Sequence, residues 1–306
     1  MRLGFCTEYS EGRLDFAVRA GYDCVELAAG PDSNLSFDHH DAPSLERVAE
    51  KVRERGLTVA SIHCGLQHLT PDPQLHERNH DYFTQVIRSC RTLGTDLLAT
   101  NPSGNPDVSP RRNLPRFATL FREYARIAEG EGVRIVFENC PAHGGYPVQV
   151  SNIGFSPEMW EAMFSEVPSP AIGLEFDPSH LVFLMIDYER ALRDFVDRVY
   201  AFHAKDTEVN HQGWQRYGYF GKQLMGNGEY REGTWDFGFW RFRVPGYGDV
   251  DWDSVFGILA EAGFEGPVLV EHEDPVFQGE RFDEGLLRAR AFLERYRYGG
   301  GSSDEA

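Results

Sequence analysis

Residues 171–177 read A-I-G-L-E-F-D, a short apolar run that ends on a carboxylate. Three more segments follow the same plan: V-R-I-V-F-E at 133–138, V-Y-A-F-H at 199–203 and V-L-V-E at 268–271. Each has the length and the β-branched or aromatic content of a buried parallel strand, and each ends on a residue that can bind a metal. The four terminal residues are Glu138, Asp177, His203 and Glu271. In a (β/α)8 barrel the carboxyl ends of all strands face one mouth, so these side chains are expected to converge there.

The four side chains form a donor set with a definite chemical preference. Three carboxylates and one imidazole suit Mn²⁺, Mg²⁺, Co²⁺ or Zn²⁺ and leave positions open for a substrate. A carboxylate that ends a buried strand is also costly unless it is metal-bound or paired. The sequence therefore predicts one bound divalent metal ion, with Mn²⁺ as the first choice.

Strands and helices alternate along nearly the whole chain, which indicates the α/β class and a closed (β/α)8 TIM barrel. The remaining strands are predicted at 3–8, 24–28, 58–64 and 96–100. The helices are predicted at 14–20, 44–55, 74–93, 110–129, 157–164, 188–195, 251–262 and 282–296. With 306 residues and 41% hydrophobic content the chain can bury one such core, so residues 1–298 are predicted to form a single catalytic domain and 299–306 a flexible tail.

One connection is too long for a minimal barrel. Residues 207–250 join strand seven to helix seven and are dense in Gly, Tyr and Trp. A long aromatic loop on the catalytic face is typical of a lid or a substrate wall, and an oligomer contact is the alternative.

Charge and composition narrow the possible functions. The formal net charge is −18 and no segment is rich in Lys and Arg, so a nucleic-acid partner is not expected. No run approaches the length of a membrane span, and residues 1–10 lack the plan of a signal peptide, which predicts a cytoplasmic protein with no membrane partner. The five cysteines are odd in number and show no C-x-x-C pairing, as expected for free thiols.

Several of these segments resemble the sugar phosphate isomerase/epimerase superfamily, whose members are xylose-isomerase-like barrels that include ketose 3-epimerases and inosose isomerases and dehydratases. The residues that carry the resemblance are F-E-N at 137–139, E-F-D-P-S-H at 175–180, F-H-A-K-D at 202–206, P-G-Y-G-D-V-D-W at 245–252 and V-E-H-E-D at 270–274. The resemblance extends from strand one to helix eight. It implies an enzyme of carbohydrate metabolism whose metal ligands are Glu138, Asp177, His203 and Glu271, in a dimer or tetramer.

The resemblance also implies roles for residues near these ligands. The superfamily's substrate-contacting His, three residues after the Asp ligand, corresponds to His180. Its Arg after strand seven corresponds to Arg243 or Arg241, because the insertion breaks the spacing.

Other candidates follow from their position at strand ends. The residues expected to line the pocket are Glu8, Glu26, His63 and Asn101. For His63 a role behind the ligands is an equal alternative. Lys205 and Asp206 follow His203 directly and are candidates for substrate contact, although Lys205 could instead pair with an acidic ligand. His272 alternates to the outer face and is expected to be structural.

The residue types suggest proton abstraction next to a carbonyl. A divalent ion that contacts a carbonyl oxygen and its neighbouring hydroxyl stabilises the enediolate that forms when the intervening proton leaves. A carboxylate beside that carbon acts as the base. In the division of labour that the resemblance implies, Glu138 and Glu271 flank the substrate, one removes the proton, and the other returns one to the opposite face. A metal-dependent sugar isomerase or epimerase is therefore the leading hypothesis, with His180 binding a substrate oxygen or moving its proton.

Three alternatives stay open. A lyase would share the first step and then expel a β-leaving group from a 3-oxo-glycoside or an inosose, and the aromatic insertion favours a bulky aglycone. A phosphodiester hydrolase, as in the apurinic endonucleases that share this barrel, would need a metal cluster and a basic face, and the charge of −18 opposes it. A non-catalytic subunit that works with a partner chain is the third. A neutral sugar is preferred as the substrate because the segment after Glu271 is acidic rather than a Gly-rich phosphate-binding turn.

Overall fold

The computed structural model describes residues 1–144, 148–219 and 238–297. Its strands are β1 (Arg2–Thr7), β2 (Cys24–Ala28), β3 (Thr58–His63), β4 (Leu97–Thr100), β5 (Arg134–Glu138), β6 (His143–Gly144), β7 (Gln149–Val150), β8 (Ile172–Phe176), β9 (Val199–Ala204), β10 (Asp206–Val209), β11 (Trp240–Arg243) and β12 (Pro267–Val270). Its α-helices are α1 (Glu11–Ala20), α2 (Ala42–Glu54), α3 (Pro73–Ser89), α4 (Pro110–Glu131), α5 (Pro157–Glu166), α6 (Pro178–Phe183), α7 (Tyr188–Phe195), α8 (His211–Tyr217), α9 (Trp252–Glu261) and α10 (Phe282–Leu293).

Eight of these strands close into one parallel barrel. Their order around the barrel is β1, β12, β9, β8, β5, β4, β3 and β2. The last strand pairs with the first, from Arg2 opposite Pro267 to Phe5 opposite Val270, which leaves no free sheet edge in the barrel. The predicted (β/α)8 TIM barrel is confirmed.

Polar caps and glycines set where the helices begin and end. Ser10 begins α1 by accepting a hydrogen bond from the backbone N–H of Arg13, and Gly21 ends it in the left-handed conformation with φ of 77°. Asp72 caps α3 in the same way as Ser10 caps α1. None of the helices in the described ranges is long and apolar enough to cross a membrane.

Aromatic residues on the outer face of the barrel decide which side chains point inward. Phe137 packs against Phe117 and Phe121 of α4, and Phe176 packs against Trp160 of α5. Because neighbouring strand residues point to opposite faces, the residue that follows each phenylalanine is directed to the barrel interior. Phe202 does the same on β9, where its ring meets Trp252 and Phe256 of α9. These contacts direct Glu138, Asp177 and His203 into the mouth.

Four features were absent from the sequence-based prediction, and two of them are the hairpin of β6 and β7 and the helix α8. The short helix α6 begins directly after β8, with Asp177 as its N-cap. The insertion opens and closes as an antiparallel ribbon of β10 and β11, with Asp206 opposite Arg243 and Val209 opposite Trp240. The remainder of the insertion, from 220 to 237, and the predicted tail at 299–306 lie outside the described residues.

Candidate metal centre and active site

Four barrel strands bring one set of metal-binding atoms together. Glu138 ends β5, Asp177 follows β8, His203 lies in β9 and Glu271 follows β12. One ligand atom from each residue lies within 4.8 Å of the others. Glu138, Asp177 and His203 are buried, whereas Glu271 is half-buried. All four predicted ligands therefore meet at the barrel mouth.

Asp177 provides a test of whether this set suits a cation. Its Oδ1 caps α6 by accepting a hydrogen bond from the backbone N–H of Ser179 at 2.8 Å. Its Oδ2 is buried and has no hydrogen bond within the described residues, although Lys205 Nζ and His180 Nε2 each lie 3.3 Å away. A buried carboxylate oxygen is costly unless positive charge compensates it. The donor set of three carboxylates and one imidazole fits a divalent ion at this position.

Glu138 is held by two polar side chains from neighbouring elements. His180 Nε2 lies 3.2 Å from Glu138 Oε1, and Asn101 Nδ2 donates a hydrogen bond of 3.0 Å to Oε2. Burial and the charge of Glu271 oppose ionisation of Glu138, but His180 and Lys205 outweigh them, so the pKa of Glu138 is lowered. Both carboxylate oxygens therefore have a neighbour that stabilises the ionised form.

Lys205 places a positive charge in the same mouth. Its side chain is buried, and its Nζ pairs with Glu271 and with Glu273 at 3.0 Å. Burial opposes ionisation of Lys205, but the surrounding carboxylates outweigh it and raise the pKa of the amine well above its usual value. The same charge is the main reason that the pKa of Glu271 lies well below the usual value despite its burial. Lys205 thus pairs with acidic residues of the proposed ligand set, and its contact with a substrate stays a prediction.

His180 reaches the site from α6. Burial and the charge of Lys205 oppose its protonation, but contacts with Cys140 and Asp177 outweigh them and raise the pKa of His180 well above its ordinary value. The ring also meets the side chain of Phe242 edge to face, with centroids 5.2 Å apart. His180 therefore lies in contact with two proposed ligands, Glu138 and Asp177.

The other face of His203 meets a second group of acidic side chains. Its Nε2 lies 3.2 Å from Glu175 Oε2, 3.3 Å from Glu26 Oε1 and 3.6 Å from Cys6 Sγ. Ser61 Oγ donates a hydrogen bond to the second oxygen of Glu26 at 2.5 Å. Burial and the charge of Glu26 raise the pKa of Glu175 well above its usual value. Burial opposes ionisation of Glu26, yet its attraction to His203 lowers its pKa to about 2.

A small cavity lies beside this group. It has a volume of about 90 Å³ and is lined by Cys6, Thr7, Glu26, Ala28, His63, His203 and Glu271. His63 Nε2 is buried there and has no hydrogen bond within the described residues. The structure therefore places His63 and Glu26 at the cavity wall, and Asn101 behind Glu138.

Three of the predicted substrate contacts have other partners. Glu8 lies exposed at the rim, where Oε2 accepts a hydrogen bond from the backbone N–H of Asn34 at 2.8 Å. Asp206 is turned away from the mouth, because its carboxylate accepts hydrogen bonds from the loop that precedes α9. Arg243 is bound to Asp274 at 2.9 Å and to Glu208. We therefore assign Asp206 a structural role and place Glu8 and Arg243 at the periphery of the site.

The inserted ribbon contributes aromatic side chains to one side of the mouth. Phe183 of α6 and Trp240 of β11 stack with centroids 4.0 Å apart and planes 6° from parallel. Phe242 packs against Trp240 with centroids 4.8 Å apart, and Lys205 Nζ lies 4.5 Å from its ring centroid. We call Phe183, Trp240 and Phe242 the aromatic wall. Phe183 and Trp240 are buried and Phe242 is partly buried, and the role of the insertion as a substrate wall stays a prediction.

Sequence reasoning missed Glu175, Cys140 and Phe242. A signal for Glu175 was present, because it stands two residues before Asp177 in the same strand and therefore faces the same interior. Cys140 stands two residues after Glu138 and offers the same kind of signal. Phe242 had none, because its position depends on the pairing of β10 with β11. His272 is structural as expected, since it accepts a hydrogen bond from the backbone N–H of Asp274 and lies 3.1 Å from the carbonyl oxygen of Phe277.

Known proteins share this fold and parts of this sequence. An inosose dehydratase of Clostridium perfringens is 27% identical over 82% of this chain and 82% of its own. The structure of D-psicose 3-epimerase with D-tagatose from Clostridium cellulolyticum H10 superposes with a TM-score of 0.70 at 15% identity, over 97% of this chain and 99% of that one. The structure of the IolI protein with a bound zinc atom superposes with a TM-score of 0.68 at 19% identity, over 97% of this chain and 96% of that one.

The family comparison covers nearly the whole barrel. The model of the xylose isomerase-like TIM barrel family matches residues 14–296. This range contains the donor set, α6, the ribbon of β10 and β11 and the closing helix α10. The chain therefore belongs to the xylose isomerase-like TIM barrel family.

Proposed function

We propose that this protein is a metal-dependent enzyme that removes a proton next to a carbonyl group of a sugar or a related cyclic polyol ketone, acting as an isomerase or epimerase. The observation that carries the proposal is the position of Glu138 and Glu271 in one donor set. They come from β5 and β12, which are separated by two strands in the barrel. A substrate bound at the open side of the set would have one carboxylate on each side of the reacting carbon.

The metal proposed for this site is Mn²⁺ first, with Mg²⁺, Co²⁺ and Zn²⁺ as alternatives. Glu138, Asp177, His203 and Glu271 would hold it, and three oxygen donors to one nitrogen favour a hard ion. The zinc atom bound to the related IolI protein makes Zn²⁺ the second ion to test. When bound, the ion would act as a Lewis acid toward the substrate carbonyl.

The surrounding residues would divide the proton transfers. Glu138, which its neighbours keep ionised, would accept the proton from carbon. His180, 3.2 Å from Glu138, would donate a hydrogen bond or its proton to a substrate oxygen. On the other side Lys205, whose Nζ contacts Glu271, would stabilise negative charge on the substrate and supply the proton that Glu271 returns to the opposite face.

The test is hydrogen exchange at the carbon next to the carbonyl. The metal-loaded protein is incubated in D2O with ketohexoses, inososes and 3-oxo-glucosides, and loss of the α-proton signal is followed by NMR. We expect exchange together with formation of an isomer or epimer for at least one compound. Absence of exchange with every compound would contradict the proposal.

Variants make the experiment more specific. If the two glutamates act as two bases, Glu138→Gln should abolish exchange in one epimer and Glu271→Gln should abolish it in the other. Exchange is measured at a saturating metal concentration, and the metal content of each protein is determined. Glu261→Gln, which changes a surface carboxylate paired with Arg193, is the control and should behave as the native protein. Equal loss of exchange in both epimers at full metal content would exclude the two-base mechanism.

Elimination is the second candidate. It is favoured by Phe242, the one partly exposed ring of the aromatic wall, which lies beside Lys205, and by the similarity to inosose dehydratases. The base would remove the proton, its electron pair would form a C=C bond, and the bond to the β-substituent would break while His180 or Lys205 protonates the leaving group. Exchange accompanied by an unsaturated ketone and a released alcohol or water would identify this reaction.

The proposed ligand is a neutral small molecule. Glu273 and Asp274 follow Glu271 and already neutralise Lys205 and Arg243, so little positive charge is left for a phosphate group. A homo-oligomer and a partner subunit stay predictions, and gel filtration with light scattering of the purified protein would test them.

A further inference from the structure

The group around His203 Nε2 has an unusual composition. Glu26 and Glu175 are almost completely buried, with exposed fractions of 2% and 0%. Both oxygens of Glu175 are buried and have no hydrogen bond that meets normal geometry within the described residues. Burying two carboxyl groups in a barrel interior lowers the free energy of unfolding, so their presence beside His203 points to a functional role.

The three neighbours of His203 Nε2 come from three different strands. Cys6 belongs to β1, Glu26 to β2 and Glu175 to β8. Cys6 lies opposite Glu26 in the sheet register, which keeps the two side chains on the same face. Two carboxyl oxygens and one sulfur, each able to accept a hydrogen bond, lie 3.2 to 3.6 Å from this one ring nitrogen. A nitrogen enclosed by acceptors keeps its proton, because its lone pair would otherwise face theirs.

The other ring nitrogen faces the proposed metal ligands. His203 Nδ1 lies 3.2 Å from Glu271 Oε2 and 3.9 Å from Glu138 Oε1. A neutral imidazole has one lone pair, and a proton held on Nε2 leaves that pair on Nδ1. The ring therefore has one side arranged for a proton and the other for a cation.

We propose that Glu26 and Glu175 are positioning residues that hold His203 with its proton on Nε2, so that Nδ1 is presented to the metal ion together with Glu138, Asp177 and Glu271. The inference rests on the proposed metal-dependent function and names the residues that tune its metal site. Partners of this kind behind a ligating His contribute about 10- to 100-fold to metal affinity in other proteins.

The test compares two substitutions at each position. Glu175→Gln keeps an acceptor oxygen for His203 Nε2, whereas Glu175→Leu removes it, and Glu26→Gln and Glu26→Leu form the matching pair. We expect affinity for Mn²⁺ and Zn²⁺, measured by chelator competition, to fall about 10- to 100-fold in the Leu variants and less in the Gln variants. Asp274→Asn is the control, because it neutralises a buried carboxylate that binds Arg243 rather than His203.

Two further measurements separate positioning from a general structural role. The Leu variants should keep the native circular dichroism spectrum and unfold cooperatively, but at a lower urea concentration than the native protein, because removing one partner of a buried polar group is destabilising. In the Zn²⁺-loaded native protein, ¹⁵N chemical shifts should show the His203 proton on Nε2 and the metal on Nδ1. If the variants lose stability but keep native metal affinity, or if the proton is found on Nδ1, the inference is overturned.

The outcome is independent of substrate turnover. Native metal binding that is unaffected by the Leu variants would overturn the inference and leave the proposed reaction intact. The expected loss of affinity, combined with no proton exchange for any substrate, would support the inference and contradict the proposed reaction. A native protein that binds neither ion would overturn both.

Discussion

Asn139 and Asp177 join the ends of two neighbouring barrel strands by a reciprocal pair of hydrogen bonds. The backbone N–H of Asp177 donates to Asn139 Oδ1 at 2.8 Å, and Asn139 Nδ2 donates to the carbonyl oxygen of Asp177 at 2.8 Å. Asn139 directly follows Glu138, so this pair fixes two proposed metal ligands relative to each other. The positions of these two side chains are therefore set in part by the backbone.

Replacing Asn139 by Ala should weaken both the fold and the metal site. Two buried backbone groups lose their partners, which should lower the free energy of unfolding by about 3 kcal/mol, and metal affinity should fall about 10-fold. The checks are urea denaturation and chelator competition. Asn113→Ala is a matched control, because Asn113 makes the same reciprocal pair with the backbone of Asn105 away from the site. It should lose stability but keep metal affinity, and equal losses of affinity in both variants would contradict this role of Asn139.

Asp177 gives a direct prediction for metal binding. At a free-ion concentration 100 times the Kd, the bound ion should raise the free energy of unfolding by about 2.7 kcal/mol, seen as a higher Tm that is lost with EDTA. Asp177→Asn should abolish this increase, because it removes the charge on the buried Oδ2. Asp187→Asn is the control for helix capping, because Asp187 caps α7 as Asp177 caps α6. This variant should keep the metal-dependent increase in the free energy of unfolding. Metal stabilisation that persists in Asp177→Asn would place the ion elsewhere.

Much of this architecture could be predicted because its signals are local. The outward Phe and the inward ligand are neighbours in the sequence, as in Phe137 and Glu138 or Phe202 and His203, so strand period alone directs the ligand to the interior. The barrel then brings all strand ends to one mouth whatever the loop sequences are. This is why the convergence of these four side chains could be predicted without coordinates.

Residues whose position depends on distant segments could not be predicted in this way. Asp206 follows His203 by three residues, as a pocket residue would, but its carboxylate is occupied by the segment 246–252, some forty residues later. Glu175 stands in a strand where a carboxylate suggests an ion pair, and its relation to His203 arises only when β8 and β9 pair. The position of a residue in its strand predicts the face to which its side chain points. The side chains that it contacts there depend on which strands are neighbours in the closed barrel.

Asp206 is predicted to maintain the base of the inserted ribbon. Its carboxylate accepts hydrogen bonds from the backbone N–H groups of Gly246 and Val250 at 3.0 Å and from Trp252 Nε1 at 2.9 Å. Asp206→Asn should lower the free energy of unfolding by about 3 kcal/mol, because an amide offers one acceptor where the carboxylate offers two. It should also raise KM more than it lowers kcat, since the ribbon carries part of the aromatic wall.

The control for Asp206 lies in the same loop. Asp249 is exposed and accepts one hydrogen bond, from the backbone N–H of Val209. Asp249→Asn should cost at most about 1 kcal/mol in urea denaturation. If the two variants are equally stable, Asp206 does not hold the loop.

His68 is predicted to make the fold sensitive to acid. It is fully buried among Phe83, Phe121 and Tyr124, and its Nε2 lies 2.8 Å from the Thr100 hydroxyl. Burial lowers the pKa of His68 from 6.5 to about 3. Above pH 6.5 the ring is neutral in both the folded and the unfolded state, so it does not change the free energy of unfolding with pH. Below pH 6.5 the unfolded chain takes up a proton that the folded chain does not accept until about pH 3, so stability falls across this range.

The measurement is the difference in pH dependence between the native protein and His68→Gln, a side chain that can still donate a hydrogen bond to Thr100 but does not titrate. Between pH 6.5 and pH 5.0 the native protein should lose about 2 kcal/mol more of its free energy of unfolding than the variant does, because each pH unit between the two pKa values corresponds to about 1.4 kcal/mol. His39→Gln alters an exposed ring and should follow the native curve. The comparison cancels the titration of the metal-site residues, which is common to all three proteins. Parallel curves for the native protein and His68→Gln would mean that His68 accepts its proton in the folded state.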